Sequence, residues 1–440
     1  MTQTRYDDLP SEVVEQSKKL LLDTLGCLVR AASRKYPASN MITKFVEAHG
    51  GKREATVIGR TLKTDVVNAA LANGMMGYYC DIESYHPESI THVAAVVVPT
   101  ALALAESRNL AGKDLLTALV VGHDVETRVS NALGPAALYK RGFHPSAVAG
   151  CFGATAAAGN LLRLSVPQQN MAFGLAGCQA SGLMAWLTDQ TENSRPFQMG
   201  VAARNGVTAA LLAERGFSSP IDIFSGKDGM FGAFTDSPQP ERLLENLGKQ
   251  FTIMESAFKL HSCCAFLHPG ADALLSLLSK HHLKHTDIDQ IHLHFPKPGA
   301  ATIDNNHLKS HNAQYILPVL AVNREVTIDD ILIERRSDPE INRLSKNTYV
   351  IHDEELGPLF PLKYTSVVVL QTPDGKQYDE RVDYARGTPQ NPLTTEDLRA
   401  KFRKMTAGVL PKRSIEACMK TALRIDNIKW ISELTKLLRR

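Results

Sequence analysis

The chain has 440 residues, of which 44% are hydrophobic and 22% charged, and a formal net charge of +3. Those figures leave room for two domains with ordinary globular cores. They supply too little positive charge for a nucleic-acid surface, and Lys436, Arg439 and Arg440 at the end read as a solvated tail.

The longest early run without a charged or strongly polar residue, roughly Val93 to Ala105, contains Pro99 and is too short to span a bilayer. The stretch from Met1 to Pro10 is polar and lacks the apolar core of a signal peptide. Seven cysteines, an odd number with no CxxC, read as reduced thiols of a cytoplasmic protein.

The first half reads as helix after helix. Ser11 to Val29 carries apolar residues at Val13, Val14, Leu20, Leu21, Leu25 and Leu28 behind Pro10, an amphipathic helix with a start signal. Further helices are expected over Val66 to Met76, Val93 to Glu106, Lys113 to Val129, Ser146 to Leu162, Pro167 to Leu183 and Gly200 to Glu214. Several are apolar on more than one face and should bury one another. Beyond about residue 270 the pattern changes. A helix at Gly270 to Lys280 precedes the alternating Ile291 to Phe295, and a helix is expected at Gln314 to Val322. Thr348 to Ile351 is β-rich, and Tyr364 to Thr372 and Tyr378 to Val382 flank the turn Pro373-Asp-Gly375. Thr394 with Asp397 starts a last helical stretch through a capping-box variant. The fold class is therefore mainly α: a large all-helical domain over residues 1–268, completed by helices at 393–440, plus a smaller α+β domain at 269–392.

Four polar clusters interrupt the apolar helices. In Gly142-Phe-His-Pro-Ser-Ala-Val-Ala-Gly-Cys-Phe-Gly-Ala-Thr155, His144 stands at the mouth of a small-residue helix. Ser146 is placed as its N-cap or first-turn residue. Burial and the positive helix end both disfavour the imidazolium, as a general base near neutral pH requires; a satisfied core histidine is the plainer alternative. The loop Asp81-Ile-Glu-Ser-Tyr-His-Pro-Glu-Ser-Ile-Thr-His92 concentrates three carboxylates and two histidines between buried helices. His92 opens its helix as His144 does. Arg195 is the lone cation of Asn193-Ser-Arg-Pro-Phe-Gln-Met-Gly200. Its guanidinium suits a substrate carboxylate, and equally a structural role capping carbonyls. In Phe258-Lys-Leu-His-Ser-Cys-Cys264, the residues Lys259, His261 and Cys264 lie where the helical domain gives way to the second. His281 and His285 have the spacing to chelate a metal, but the stretch reads as an exposed helix end. There is no dinucleotide fingerprint, Walker sequence or nucleophile elbow. No cofactor and no metal are expected.

These residues resemble the MmgE/PrpD family, which includes 2-methylcitrate dehydratase, cis-aconitate decarboxylase and iminodisuccinate epimerase. The resemblance runs from Leu22-Asp-Thr-Leu-Gly26 through the Asp81 to His92 loop, Gly122-His-Asp-Val-Glu126, Gly142-Phe-His-Pro-Ser146 and Arg195-Pro-Phe-Gln-Met-Gly200. It continues in Phe258 to Cys264 with His268-Pro269, Asn312-Ala-Gln-Tyr315 and Gly387-Thr-Pro-Gln-Asn-Pro392. It implies a homodimer with a cofactor-free active site at the domain junction, acting on a small polycarboxylate. Asp81, His92, His144, Arg195, Lys259 and Cys264 fall on pocket-lining positions. The decarboxylase pattern has lysine at Arg195, histidine at Cys264 and tyrosine at Val319. Gln198 stands where the family often has histidine. The resemblance therefore does not fix which carboxylate is the substrate.

On this reading the chain is a lyase, a dehydratase or decarboxylase, with His144 as base. Arg195 and Lys259 clamp carboxylates, and His92 is the acid, oriented by Asp81. His261, Cys264 and Gln198 complete the substrate contacts. An epimerase or isomerase using the same residues is the nearest alternative, and an inactive homologue with a binding role the next.

Overall fold

The computed structural model describes residues 2–189, 191–333 and 338–439. In chain order it holds α1 (Ser11–Ala31), α2 (Pro37–His49), the two-residue strands β1 (Ala55–Thr56) and β2 (Lys63–Thr64), α3 (Val66–Tyr79), α4 (Val93–Ser107) and α5 (Gly112–Leu133). Then come α6 (Pro135–Lys140), α7 (Pro145–Leu161), α8 (Val166–Gly177), α9 (Ser194–Glu214), α10 (Met230–Phe234) and α11 (His268–Lys280). These are followed by β3 (Gln290–Pro296), α12 (Lys297–Ala300), α13 (Ala313–Asn323), α14 (Ile328–Leu332), α15 (Pro339–Lys346), β4 (Thr348–Asp353), β5 (Ser366–Gln371) and β6 (Gln377–Val382). The chain closes with α16 (Thr395–Thr406), α17 (Lys412–Leu423) and α18 (Ser432–Leu437).

The chain divides into two compact units. The first comprises Met1–Ala185, Asn193–Ser256 and Thr394–Arg440 and is helical apart from the β1–β2 pair. The second comprises Trp186–Glu192 and Ala257–Leu393. This is the mainly α class with a smaller α+β part that the sequence pattern predicts.

In the first unit α7 is buried along its whole length and packs against α4, α5 and α9. Its small residues make that possible. Gly153 lies against Gly122 of α5, and a Cβ at Gly153 would stand 2.7 Å from the Cβ of Glu126 and 2.9 Å from the Gly122 carbonyl oxygen. Backbones that close exclude water and give each side chain many neighbours. The return of the C-terminal helices is fixed by Lys401 of α16, whose buried ammonium lies 2.5 Å from Asp23 of α1 and donates to the Ile82 carbonyl at 2.6 Å. The capping box opens α16 as the sequence predicts: the Asp397 N–H donates to Thr394 Oγ1 at 3.1 Å, and the Thr394 N–H to Asp397 Oδ2 at 2.9 Å.

The second unit carries a four-stranded sheet in the order β4-β3-β5-β6. β3 and β4 are parallel, and the other pairs antiparallel. The alternation of β3 puts Ile291, Leu293 and Phe295 in the core. Gly375, in the left-handed region, closes the β5–β6 hairpin, donating its N–H to the Thr372 carbonyl at 2.9 Å.

Three expectations differ from the structure. The helix expected over Pro167 to Leu183 stops at Gly177, because the chain leaves it to pair with the residues before α7. α9 begins at Ser194, not Gly200, since Pro196 in a first turn needs no N–H partner. The basic tail is not wholly solvated: Arg439 donates to Glu106 at 3.0 Å and to Thr56, while Lys436 is exposed and Arg440 lies outside the described residues. His281 is exposed and stacks on Tyr378. Among the described residues no helix is long and apolar enough to cross a membrane.

Candidate functional site

Five of the eight singled-out side chains, Asp81, His92, His144, Arg195 and Gln198, lie in the first unit, where His92, His144 and Arg195 gather around one residue the sequence did not flag, Tyr78 at the end of α3. The ring centroid of His92 lies 4.6 Å from that of Tyr78, and that of His144 lies 6.3 Å away. The Arg195 guanidinium sits over the Tyr78 ring at 4.5 Å, a cation–π contact in a dry setting.

His92 and His144 are the N-cap residues of α4 and α7. Ser146, in the first turn of α7, accepts the His92 N–H at 3.1 Å and so ties the two helix starts together. Burial drives the His144 pKa down to about 3. The hydrogen bond from its Nδ1 to Gln198 Oε1, 2.9 Å, opposes that fall; the nearby charges of His92 and Arg195 add to it.

The carboxylates of the loop are shared out differently from the expected arrangement. Asp81, expected to orient His92, faces Arg195, Oδ2 to NH2, at 3.3 Å, with side chains only 3% and 2% exposed. His92 Nδ1 instead faces the fully buried Glu83 at 2.9 Å. The guanidinium of Arg195 thus faces a carboxylate of its own chain. Asp81 adopts a left-handed backbone, φ 49°, the kind of conformation that persists where the surroundings over-determine it.

The loop is braced from below. The His86 and Thr91 backbones pair, and Ser130 of α5 donates to the Ser89 carbonyl at 2.8 Å. His86 Nε2 lies 3.2 Å from Glu255, while its Nδ1 accepts the Ser89 N–H at 3.2 Å. Beside it His123 is buried between Thr252 and Ser256. Burial, with the neighbouring His86, holds His123 neutral, well below its ordinary pKa.

The remaining candidates lie in the second unit, on the segment before α11. Lys259 is fully buried, its Nζ 3.5 Å from the Cys263 carbonyl oxygen. Main-chain bonds hold the segment on each side: Phe258 N–H to Gly387 O at 2.9 Å, Ser262 N–H to Val326 O at 3.0 Å, and Cys264 N–H to Ser310 O at 2.8 Å. His261 Nδ1 accepts the Val326 N–H at 3.4 Å. His268, which was not singled out, bridges the segment from inside: its Nε2 accepts the His261 N–H at 3.5 Å and its Nδ1 lies 3.2 Å from the Cys264 carbonyl oxygen. Ser310 is gripped in turn by Glu192, through its N–H at 3.1 Å and its hydroxyl at 2.9 Å. Val319 is buried in α13.

Tyr78, Glu83, His268 and Ser310 are therefore the site residues that sequence reasoning missed. Glu83 lay inside the flagged loop. Tyr78 stands three residues before Asp81, between the helix expected to end at Met76 and the flagged loop, and the observed helix runs on to include it. All seven cysteines are free, and among the described residues no three His, Cys, Asp or Glu side chains are grouped to hold a metal ion.

Residues 1–243 match the MmgE/PrpD N-terminal domain, and residues 261–425 the MmgE/PrpD C-terminal domain. Among curated proteins, the cis-aconitate decarboxylase-like protein oryM of Aspergillus oryzae is 28% identical, over 100% of this chain and 95% of its own length. The cis-aconitate decarboxylase of Mus musculus is 26% identical, over 99% of this chain and 91% of its own. The mitochondrial 2-methylcitrate dehydratase of Yarrowia lipolytica is 23% identical, over 92% of this chain and 82% of its own.

Proposed function

The chain belongs to the MmgE/PrpD family, and on that premise we propose that it is a cofactor-independent lyase, a dehydratase or decarboxylase, acting on a small tri- or dicarboxylate. The observation that carries the reading is the group around Tyr78: two helix-capping imidazoles and a buried guanidinium within reach of one ring. Removing a proton next to a carboxylate builds negative charge, so the reaction needs a positioned base and fixed positive charge together.

His144 takes the proton. In a dehydration the freed electron pair forms the carbon–carbon double bond. The hydroxyl on the neighbouring carbon leaves with a proton from His92, as water. In a decarboxylation the electrons left by departing carbon dioxide are quenched by a proton from one imidazole. Glu83 faces Nδ1 of His92, the ring read as the acid, at 2.9 Å. Arg195, already against Asp81, is read as holding a substrate carboxylate, and Lys259 of the second unit is read as a carboxylate-binding cation. A polyanion brought to Arg195 also raises the pKa of His144 from its buried value of about 3 toward a working range. His261 and Cys264 are read as further substrate contacts. The reading includes a cytoplasmic homodimer, supported by the free thiols and by the family resemblance.

The two imidazoles beside one ring also suit an epimerase, which needs an acid/base group for each face of one carbon. Proton NMR in deuterated water, with citrate, 2-methylcitrate, cis-aconitate and related acids, separates the two. Appearance or loss of an alkene supports the lyase. Exchange of the α-proton with no alkene overturns it in favour of an epimerase. Binding with neither change overturns it in favour of an inactive binding protein.

A further inference from the structure

Gln198 occupies a position that the sequence assigned to substrate contact. The geometry points to a different role: we infer that Gln198 is a positioning residue that fixes His144 as the tautomer with its proton on Nδ1 and its lone pair on Nε2. This deepens the proposed function, and rests on it only insofar as His144 is the base.

The argument starts from a carbonyl. Gly142 to His144 run antiparallel to Gly182 to Met184: the His144 N–H donates to the Gly182 carbonyl at 2.9 Å, and the Met184 N–H to the Gly142 carbonyl at 2.8 Å. This pairing depends on Gly182, whose φ is 135° and whose Cβ would overlap Ala147. With those two bonds made, the Leu183 carbonyl receives the Gln198 amide nitrogen, Nε2 to O, at 2.9 Å. A carbonyl oxygen only accepts, so Nε2 must be the amide atom that faces it. The opposite assignment would set two acceptor oxygens against each other. Gln198 Oε1 is thereby turned to His144 Nδ1, 2.9 Å away. That oxygen too only accepts, so Nδ1 carries the hydrogen, and the neutral ring keeps its lone pair on Nε2.

The carbonyl that orients Gln198 thus belongs to the segment paired with His144's own backbone. Position and tautomer of the imidazole are set by one unit of structure. A histidine at 198, as the family often has, offers a ring nitrogen whose own tautomer is adjustable; the amide has no such freedom.

Selective 15N labelling of histidine in the full-length chain reads the tautomer directly, from the shifts of the two ring nitrogens and their couplings to the ring protons. The signal is assigned by its disappearance in His144→Gln. The expected result is the Nδ1–H form in the wild type. In Gln198→Ala, where the acceptor is gone, the Nε2–H form that imidazole prefers in water should take over. Gln198→Glu keeps an acceptor oxygen and adds a charge, so the Nδ1–H should persist and the ring should protonate at higher pH. The other charges around the ring, His92, Arg195, Asp81 and Glu83, are unchanged in both variants.

On a competent substrate, Gln198→Ala should lower kcat about tenfold or more with KM little altered. Gln198→Glu should move the acid limb of kcat/KM up by a unit or more. A wild-type His144 in the Nε2–H form, or a tautomer unchanged in Gln198→Ala, overturns the inference. Because the tautomer is read without substrate, failure of the lyase reading would leave this result standing.

Discussion

Around Tyr78 the candidate side chains pair with one another; around Lys259 main-chain bonds to three neighbouring segments are prominent. In the first cluster Asp81 answers Arg195, Glu83 answers His92 and Gln198 answers His144, each pair setting charge and orientation at once. In the second, Phe258, Ser262 and Cys264 are fixed by backbone bonds to Gly387, Val326 and Ser310, and the His268 ring bridges the same segment. Proton transfer depends on the protonation state of named groups, which is why the proposed chemistry is assigned to the first cluster. Holding a carboxylate needs only a cation at a defined point, which a braced segment supplies.

Breaking the first cluster at its base has the largest expected effect. His144→Ala should lower kcat on the order of a thousandfold, the usual scale for a lost general base, with little change in KM. Next, Asp81→Ala leaves Arg195 buried without its carboxylate and should cost about 3–5 kcal/mol. A urea midpoint moved down at constant slope would show it. The cost should fall well short of that in the double variant Asp81→Ala/Arg195→Met, which removes both charges.

The pH dependence of stability comes third. His144 is neutral in the folded protein down to about pH 3, whereas the unfolded chain protonates it near pH 6.5. Between those values the unfolded state binds more protons, so stability falls as pH falls. Going from pH 7 to pH 5 this single group removes about 2 kcal/mol, and His144→Gln should show a correspondingly shallower loss over that interval.

In the second cluster the sensitive point is backbone. Gly387 has φ 104°, and a Cβ there would overlap the Phe258 carbonyl. Gly387→Ala should cost about 1–3 kcal/mol and disturb Lys259 without touching any titrating group, so kcat/KM falls while the pH profile keeps its shape. Far from both clusters, Thr394→Ala removes one helix cap and should cost about 1 kcal/mol, with activity unchanged.

What the sequence disclosed, and what it withheld, follows from the range of the forces involved. The helical order of the first unit was legible because local periodicity writes it. His144 stood out because a run of small residues around one imidazole is rare without close packing. Partner choice was not legible. Asp81 and Glu83 are two residues apart in a loop, and no local sequence signal tells which of them faces His92 and which Arg195. The helix expected from Gly200 starts at Ser194, which places Arg195 and Gln198 together in its first turns. Arg439 looked solvated because its partners, Glu106 and Thr56, lie more than three hundred residues away. Tyr78 gave no signal because an aromatic residue in an apolar helix is ordinary until three polar groups are seen around its ring.

The central claim is that the group around Tyr78 performs proton transfer next to a carboxylate, with His144 as base. It is tested most directly by following ultraviolet absorbance of the alkene with citrate, 2-methylcitrate, cis-aconitate and related acids, for the wild type and His144→Ala side by side. The account predicts a signal with at least one of these acids that falls about a thousandfold in His144→Ala. A His144→Ala rate close to that of the wild type would contradict it.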